Sequence, residues 1–471
     1  MEKHLYKILF FSIIAVLTLF LFQTVTGIFT LKPLNGVTTE EKKNKLTFKS
    51  YADGSFQNSV DDYLHNHFGF REWLIRGYNQ YLWSCFKETN NGTVVRGKED
   101  WLFEDVYVKE HYESMMYNYT DDTAEMRKIF ETEALRLWKV QELLKEYDIR
   151  IFVNINPGKD MIYPEYLPKN KTYFHPDGLH AYDFYSKRFN ELGVNYIDNV
   201  IVFQNIKDSV DYMLFPKTGT HWSNIASIYV FDSIIRYMEI LGNQNLNNLE
   251  IGEKYPAESR RPDNDLEELL NLVFPIRTSS NLYADVKVKE DSTAIKPYLL
   301  TIGDSFYWNF VSNIPLQNIF REHPYWYYNY LIYNGSENKS TLDVDFEQEL
   351  MKTDYIMLIY GTTQLYELGS HFLPKALLHL CYDKAAIDST AHRLVERFKS
   401  DPKFCAEINK TAKERQISEE QVMYEDAIYM INENPEAYFE ELRGEKMPVS
   451  RNKSLARIRK NSIFARSKAL K

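Results

Sequence analysis

Two side chains in this sequence have the type and the setting for covalent chemistry, Ser305 and His221. A serine hydroxyl attacks a carbonyl only when a base removes its proton, and histidine is the usual base. In "LLTIGDSFYW" (299–308) an apolar run ends at Gly303-Asp304-Ser305. A strand entering that turn exposes the hydroxyl and aims neighbouring backbone N–H groups at the oxygen that becomes negative during attack. Taken alone, Gly-Asp-Ser is ordinary turn composition. His221 stands in "PKTGTHWSN" (216–224), at the opening of a helix that Thr220 or Ser223 could cap, so its ring faces the mouth of a sheet. A lone histidine near aromatics is more often packed or solvated than catalytic. A histidine and a serine both at strand–helix junctions form a narrower coincidence, which predicts a general base at His221 and a nucleophile at Ser305. Asp304, adjacent to the serine in a tight turn, is expected to shape the turn.

The elements that must hold this pair follow from the apolar pattern. A long helical repeat from Asp121 runs into "RIFVNINP" (150–157), a strand of buried type. A helix over Tyr182 to Leu192 precedes the strand "VNYIDNVIVF" (194–203), and "WSNIASIYVFDSIIRYMEIL" (222–241) is the helix after His221. "DYIMLIYG" (354–361) is a further apolar strand ending in glycine. Helices alternating with short apolar strands predict a doubly wound, three-layer α/β/α domain. Ligands bind such sheets at the carboxyl ends of the strands, where Pro157, Ser305 and Gly361 are expected to meet. Earlier in the chain, "NGTVVRGKEDWLFE" (91–104) has the alternation and turn residues of a hairpin.

The N-terminal run from Ile8 to Leu31 carries no charge and is long enough to cross a bilayer as one helix. Lys3 and Lys7 ahead of it predict a cytoplasmic N-terminus and an exported remainder. Val25, Thr26 and Gly27 make only a weak cleavage site, so an uncleaved anchor is expected. The expected division is an anchor over 1–31, a polar stalk over 32–48, the α/β domain over 49–373, a helical region over 374–446 and a basic tail over 447–471, read as solvated and poorly ordered. A net charge of −10 argues against nonspecific nucleic-acid binding. Cys85, Cys381 and Cys405 are too scattered for a disulfide framework. His65 and His67 lack metal-ligand spacing, no phosphate-cradling glycine loop appears, and neither metal nor cofactor is expected.

Other side chains are weaker candidates. Lys159 in "NPGKDMIYPEYLP" follows the first sheet strand and could meet a carbonyl or carboxylate in the cleft. Trp222, Tyr307 and Trp308 flank the proposed pair as a sugar platform, although core aromatics look the same in sequence.

With these segments in hand, "TGTHWS" followed by "GDSF" resembles the SGNH-hydrolase-like domain of the alginate O-acetyltransferases AlgJ and AlgX. "YLHNHFGFREWLIRGYN", "VVRGKEDWLFE" and "NPGKDMIYPEYLP" are similar in the same order, so that the resemblance runs from Leu46 to Gly369. It implies an exported, membrane-anchored enzyme that passes an acyl group, by way of Ser305 and His221, to a hydroxyl of an envelope or secreted polysaccharide. It also implies a membrane-bound O-acyltransferase partner as acyl donor. In that family an aspartate stands two residues before the histidine, where this chain has Gly219. Three arrangements are open: a carboxylate from elsewhere, Asp198 or Asp211; a backbone carbonyl that orients the ring of a Ser–His dyad; or a site that binds polysaccharide without turnover. An esterase on the same scaffold is the alternative chemistry.

Overall fold

The central strands form because their residues are apolar on both faces, and only a sheet covered on both sides can bury such runs. The computed structural model describes residues 2–30, 32–36, 44–113, 123–168, 179–278, 280–334, 337–439, 442 and 455–460. In chain order, α1 (Glu2–Thr26) precedes α2 (Ser55–His67) and α3 (Arg71–Tyr81). The hairpin strands β1 (Val94–Arg96) and β2 (Leu102–Glu104) lead into α4 (Asp105–Glu113), α5 (Thr123–Lys145) and β3 (Arg150–Asn156). Then come α6 (Ala181–Leu192), β4 (Tyr196–Asp198), α7 (Asn199–Ile206), α8 (Asn224–Gly242), β5 (Asn248–Ala257), α9 (Asp265–Leu270) and β6 (Asn281–Lys289). The second half of the sheet brings β7 (Leu299–Gly303), α10 (Tyr307–Asn313), β8 (Tyr325–Tyr327), β9 (Leu331–Asn334), β10 (Glu337–Ser340) and β11 (Tyr355–Gly361). Among the described residues, α11 (Phe372–Cys381), α12 (Lys384–Phe398), α13 (Pro402–Arg415) and α14 (Glu419–Glu433) follow.

The seven-stranded sheet runs β10-β9-β8-β7-β11-β3-β4, parallel from β8 to β4 and antiparallel at β8–β9–β10. Alternate residues of one strand enter opposite layers, as the two-residue period of a strand requires. On β11, Ile356, Leu358 and Tyr360 join the core with Phe130 of α5 and Tyr185 of α6, whereas Tyr355, Met357 and Ile359 join the one with Phe231 and Ile235 of α8. This is the expected α/β/α sandwich. The hairpin at 94–104 also forms, with Val95 opposite Phe103. The helices after α11 enclose a core of their own.

Some expectations change. The strand expected over 194–203 stops at Asp198, because that carboxylate accepts the amides of Val200 and Ile201 and caps α7. The helix after His221 starts at Asn224 with Ser223 as its cap, accepting from the Ala226 amide, and Thr220 takes no part. The start of α5 expected at Asp121, most of the basic tail, and 37–43 of the stalk lie outside the described residues. Within 455–460, Leu455 is buried and Arg459 pairs with Asp354 at 3.0 Å, so that piece of the tail is docked, not solvated. The helix α1 is apolar enough to cross a membrane over His4–Thr26 and ends short of Leu31. There the Gln23 side chain donates to the Phe29 carbonyl and accepts its amide, closing a reverse turn.

The approach of β7 to β11 fixes Gly303. A Cβ at that position would lie 1.8 Å from the Ile359 carbonyl oxygen. Gly303→Ala is therefore expected to lower stability by about 3 kcal/mol, the upper end for overpacking, read as a drop in the thermal midpoint of the purified chain.

Candidate active site

The parallel strands β3, β7 and β11 end at one edge: Gly361 pairs with Asn156, and Ile359 with Gly303. Pro157, Ser305 and Gly361 therefore lie together, where a parallel sheet places its ligand crevice. The turn after β7 is pinned from several sides. The Asp304 amide donates to the Ile359 carbonyl at 3.1 Å, and its carboxylate accepts the amides of Gly361 at 2.5 Å and Phe306 at 3.1 Å. Burial, partly offset by those amides, raises the Asp304 pKa to about 6. With Asp304 spent on the backbone, Ser305 is left half-buried at the crevice and hydrogen-bonded to His221 Nε2 at 2.8 Å.

The other ring nitrogen, Nδ1, lies 2.8 Å from Oδ2 of Asp265. Oδ1 of the same carboxylate accepts the amides of Thr220 and Leu266, each at 2.8 Å. A carboxylate with its other oxygen fixed by two amides can hold the imidazole with Nδ1 protonated and Nε2 toward the serine. The ring also packs on Phe306 at 5.1 Å. Burial alone would lower the His221 pKa, but the hydrogen bond and charge of Asp265, with Glu104 and Asp304 further off, outweigh it and raise the pKa above 6.5. Glu104 sits behind the ring and accepts the Thr220 hydroxyl at 3.1 Å. Its own pKa is raised by burial, against the opposing charge of His221.

The structure brings neither Asp198 nor Asp211 to the His221 ring. Asp198 caps α7 and accepts the Tyr182 hydroxyl at 3.1 Å, while Asp211 is an exposed partner of Lys254. Asp265 comes from a different loop, and Gly219 makes its approach possible. A Cβ at 219 would stand 2.8 Å from the Asp263 carbonyl oxygen and 2.9 Å from Pro216 Cγ. The loop is fastened by Asp263, which accepts the Asn224 amide at the start of α8 at 3.0 Å and the Asn281 side chain at 3.3 Å. Burial carries the Asp263 pKa to about 7.

Of the remaining candidates, Lys159 is buried, at 1% exposure. Its Nζ donates to the carbonyls of Leu102, Lys217 and Gly219 at 2.7, 3.0 and 2.7 Å. Burial pushes its pKa well down. Three carbonyl acceptors nonetheless call on all three protons of the ammonium form. Lys159 thus ties the hairpin strand β2 to the segment before His221. Trp222 and Tyr307 are core residues at 0% exposure, with Trp222 packed on Phe306 and Phe310. Trp308 is half-buried beside Tyr325 of β8 and Tyr333 of β9. Asp265 escaped the sequence because "RRPDNDLEELL" reads as the start of a solvated acidic helix; Glu104 was hidden at the end of a hairpin strand.

The fold is that of an SGNH hydrolase-like α/β domain. Residues 94–300 match the family described as "SGNH hydrolase-like domain, acetyltransferase AlgX". The matched segment contains His221, Gly219 and Asp265 and ends before Ser305. Among solved structures, the O-acetyltransferase domain of Pseudomonas putida AlgJ is 16% identical, with 60% of this chain and 98% of that one covered at a TM-score of 0.39. Pseudomonas aeruginosa AlgX is 12% identical over 60% and 66% of the two chains, TM-score 0.35. Bacillus cereus PatB1 is 12% identical over 58% and 97%, TM-score 0.35. No curated protein matches the sequence.

Substitutions separate the three aspartates. Asp265→Asn is expected to reduce hydrolysis of a chromogenic acetyl ester by about 10⁴-fold, the loss seen when a triad acid is neutralised. Asp198→Ala, which removes a helix cap and the acceptor of the Tyr182 hydroxyl, is expected to cost about 2 kcal/mol of stability and leave turnover intact. Gly219→Asp in the Asp265→Asn background restores the acid at the family position yet is expected not to restore activity, because it collides with the 263 loop.

Proposed function

We propose that this protein is a membrane-anchored, exported O-acyltransferase that O-acetylates a cell-envelope or secreted polysaccharide through an acyl-serine intermediate. The observation that carries the proposal is the continuous chain of hydrogen bonds from Asp265 through His221 to Ser305. In the first half-reaction His221 Nε2 takes the Ser305 proton as Oγ attacks the acyl carbonyl. Among the described residues the Ser305 amide has no protein acceptor, which leaves it free to donate to the oxyanion. Collapse expels the donor's leaving group with the proton from His221. In the second half, a sugar hydroxyl gives its proton to Nε2, attacks the ester carbon and frees Ser305.

The family match supports polysaccharide O-acetylation as the coarse activity. Transfer in place of hydrolysis depends on the acceptor outcompeting water, and Trp308 with Tyr327 and Tyr333 offers aromatic surface beside the serine for that acceptor. An exported domain has no cytosolic thioester at hand, so a membrane-bound O-acyltransferase is the proposed donor. Retention of the N-terminal helix is supported by the way the rest of the chain is built on it: the Gly69 amide donates to Thr24 Oγ1 at 2.8 Å. We assign 1–31 to the anchor, 49–373 to the catalytic domain and 374–446 to the helical extension. Within the 32–48 segment, residues 32–36 are less a free stalk than a strap, since Asn35 and Asn271 exchange hydrogen bonds at 2.9 and 3.1 Å.

The test is turnover of a chromogenic acetyl ester by the full chain in detergent, with and without a glycan acceptor. Turnover lost in Ser305→Ala and acetyl transfer that requires the acceptor are the expected results. Glycan binding unaltered by Ser305→Ala, with no turnover of any ester, would instead identify a binding protein. The base must be neutral, so activity is expected to fall as pH drops through the raised His221 pKa, with a midpoint above 6.5. Asp265→Asn removes the charge that raises it and should move the residual acid limb to lower pH.

A further inference from the structure

Two helices at the start of the 49–373 domain, α2 and α3, bury almost nothing on one side. On α2, Val60, Tyr63 and Leu64 recur at helical spacing and are exposed, with Tyr63 stacked on His67 at 4.2 Å. The polar residues Asp61, Asp62 and His65 fall off that stripe. On α3, Trp73, Leu74, Tyr78 and Tyr81 form a second exposed stripe, Trp73 at 66% and Tyr78 at 54%. The opposite side of α3 faces the domain, where Asn79 donates to the Leu270 carbonyl at 2.8 Å and Arg76 to the Pro33 carbonyl at 2.9 Å.

What covers these stripes follows from where the two helices meet α1. The turn Phe68-Gly69-Phe70 between them docks on the last two turns of the apolar helix. A Cβ on Gly69 would lie 2.4 Å from the Phe20 carbonyl oxygen. Phe68 packs on Phe20 at 5.3 Å, and Phe70 on Phe29 at 5.6 Å. Phe20 is six residues before the end of α1, about 9 Å along its axis at 1.5 Å per residue. A turn held at that depth lies within the outer boundary of the bilayer that α1 crosses, where Trp and Tyr concentrate. Phe70 is held at a φ of 63°, a left-handed conformation that a bulky aromatic residue adopts only under constraint.

We propose that α2, the Phe68–Phe70 turn and α3 form an interfacial hairpin that lies in the headgroup region of the bilayer, with its two aromatic stripes facing lipid. The inference rests on the reading of α1 as a membrane anchor. The hairpin adds a second attachment and fixes the height of the domain: α3 leans on α9, the helix whose first residue is Asp265, so the crevice stands close over the membrane surface.

The experiment places the full chain in lipid-only nanodiscs whose phospholipids carry bromine either near the headgroup end of the acyl chain or near its terminus. The emission of Trp73 is obtained as the difference between the wild type and Trp73→Phe. The expected result is that most of this difference emission is lost with shallow bromine and less with deep bromine. A protein that co-purifies with the nanodiscs but whose Trp73 is unaffected by either lipid and is quenched by aqueous iodide overturns the hairpin alone, and would leave the stripes to a protein partner. Failure to co-purify with nanodiscs overturns the anchor and the hairpin together.

Discussion

The site depends on a close approach between two stretches of backbone. His221 can act as a base only if something fixes its Nδ1, and the atom that does so arrives on a loop whose Asp263 carbonyl occupies the space a side chain at 219 would need. Glycine at 219 and aspartate at 265 are therefore one structural solution. The glycine removes the acid from one position and opens the path by which another acid reaches the ring. A small side chain at 219 would push away the loop, and with it the hydrogen bond that sets the tautomer.

The surrounding structure keeps that approach in register. Lys159 gathers the carbonyls of Leu102, Lys217 and Gly219 onto one ammonium group, so the hairpin and the segment before His221 cannot drift apart. Asp263 takes the amide at the head of α8 and thereby ties the Asp265 loop to the helix that follows His221. On the other side of the crevice, Asp304 spends its carboxylate on the amides of Phe306 and Gly361, which joins the serine turn to β11. Each buried charge serves the backbone, which is where such groups are best satisfied in a low-dielectric interior.

The parts that sequence made legible share a property: their signal is local. The runs at 150–156, 299–303 and 355–361 carry apolar residues on both faces, so each reads as a central strand without knowledge of its neighbours. Ser305 and His221 sit where a strand or a helix changes direction, and their positions follow from the adjacent residues. Asp265 could not be found this way. It meets His221 across 44 residues, and its immediate surroundings are those of an ordinary acidic helix start. The same limit explains Asp198, which lies midway along the strand expected over 194–203 but whose carboxylate caps α7. Lys159 and Trp222 looked available for substrate because exposure is decided by tertiary packing and leaves no mark on the local pattern.

Gly219 therefore changes meaning with scale. Compared position by position with AlgJ and AlgX, it is a missing acid and a reason to suspect a silent site. Within the fold it is a gap of the size that an incoming loop requires, and the loop that fills it carries a carboxylate with both oxygens engaged. A decayed site would give no reason for those oxygens to be shared between His221 and the amides of Thr220 and Leu266, nor for a second aspartate to fasten the same loop to α8. Groups held in mutually dependent geometry are costly to keep, since each forfeits hydration, and their joint presence supports the proposed role of His221 as a base.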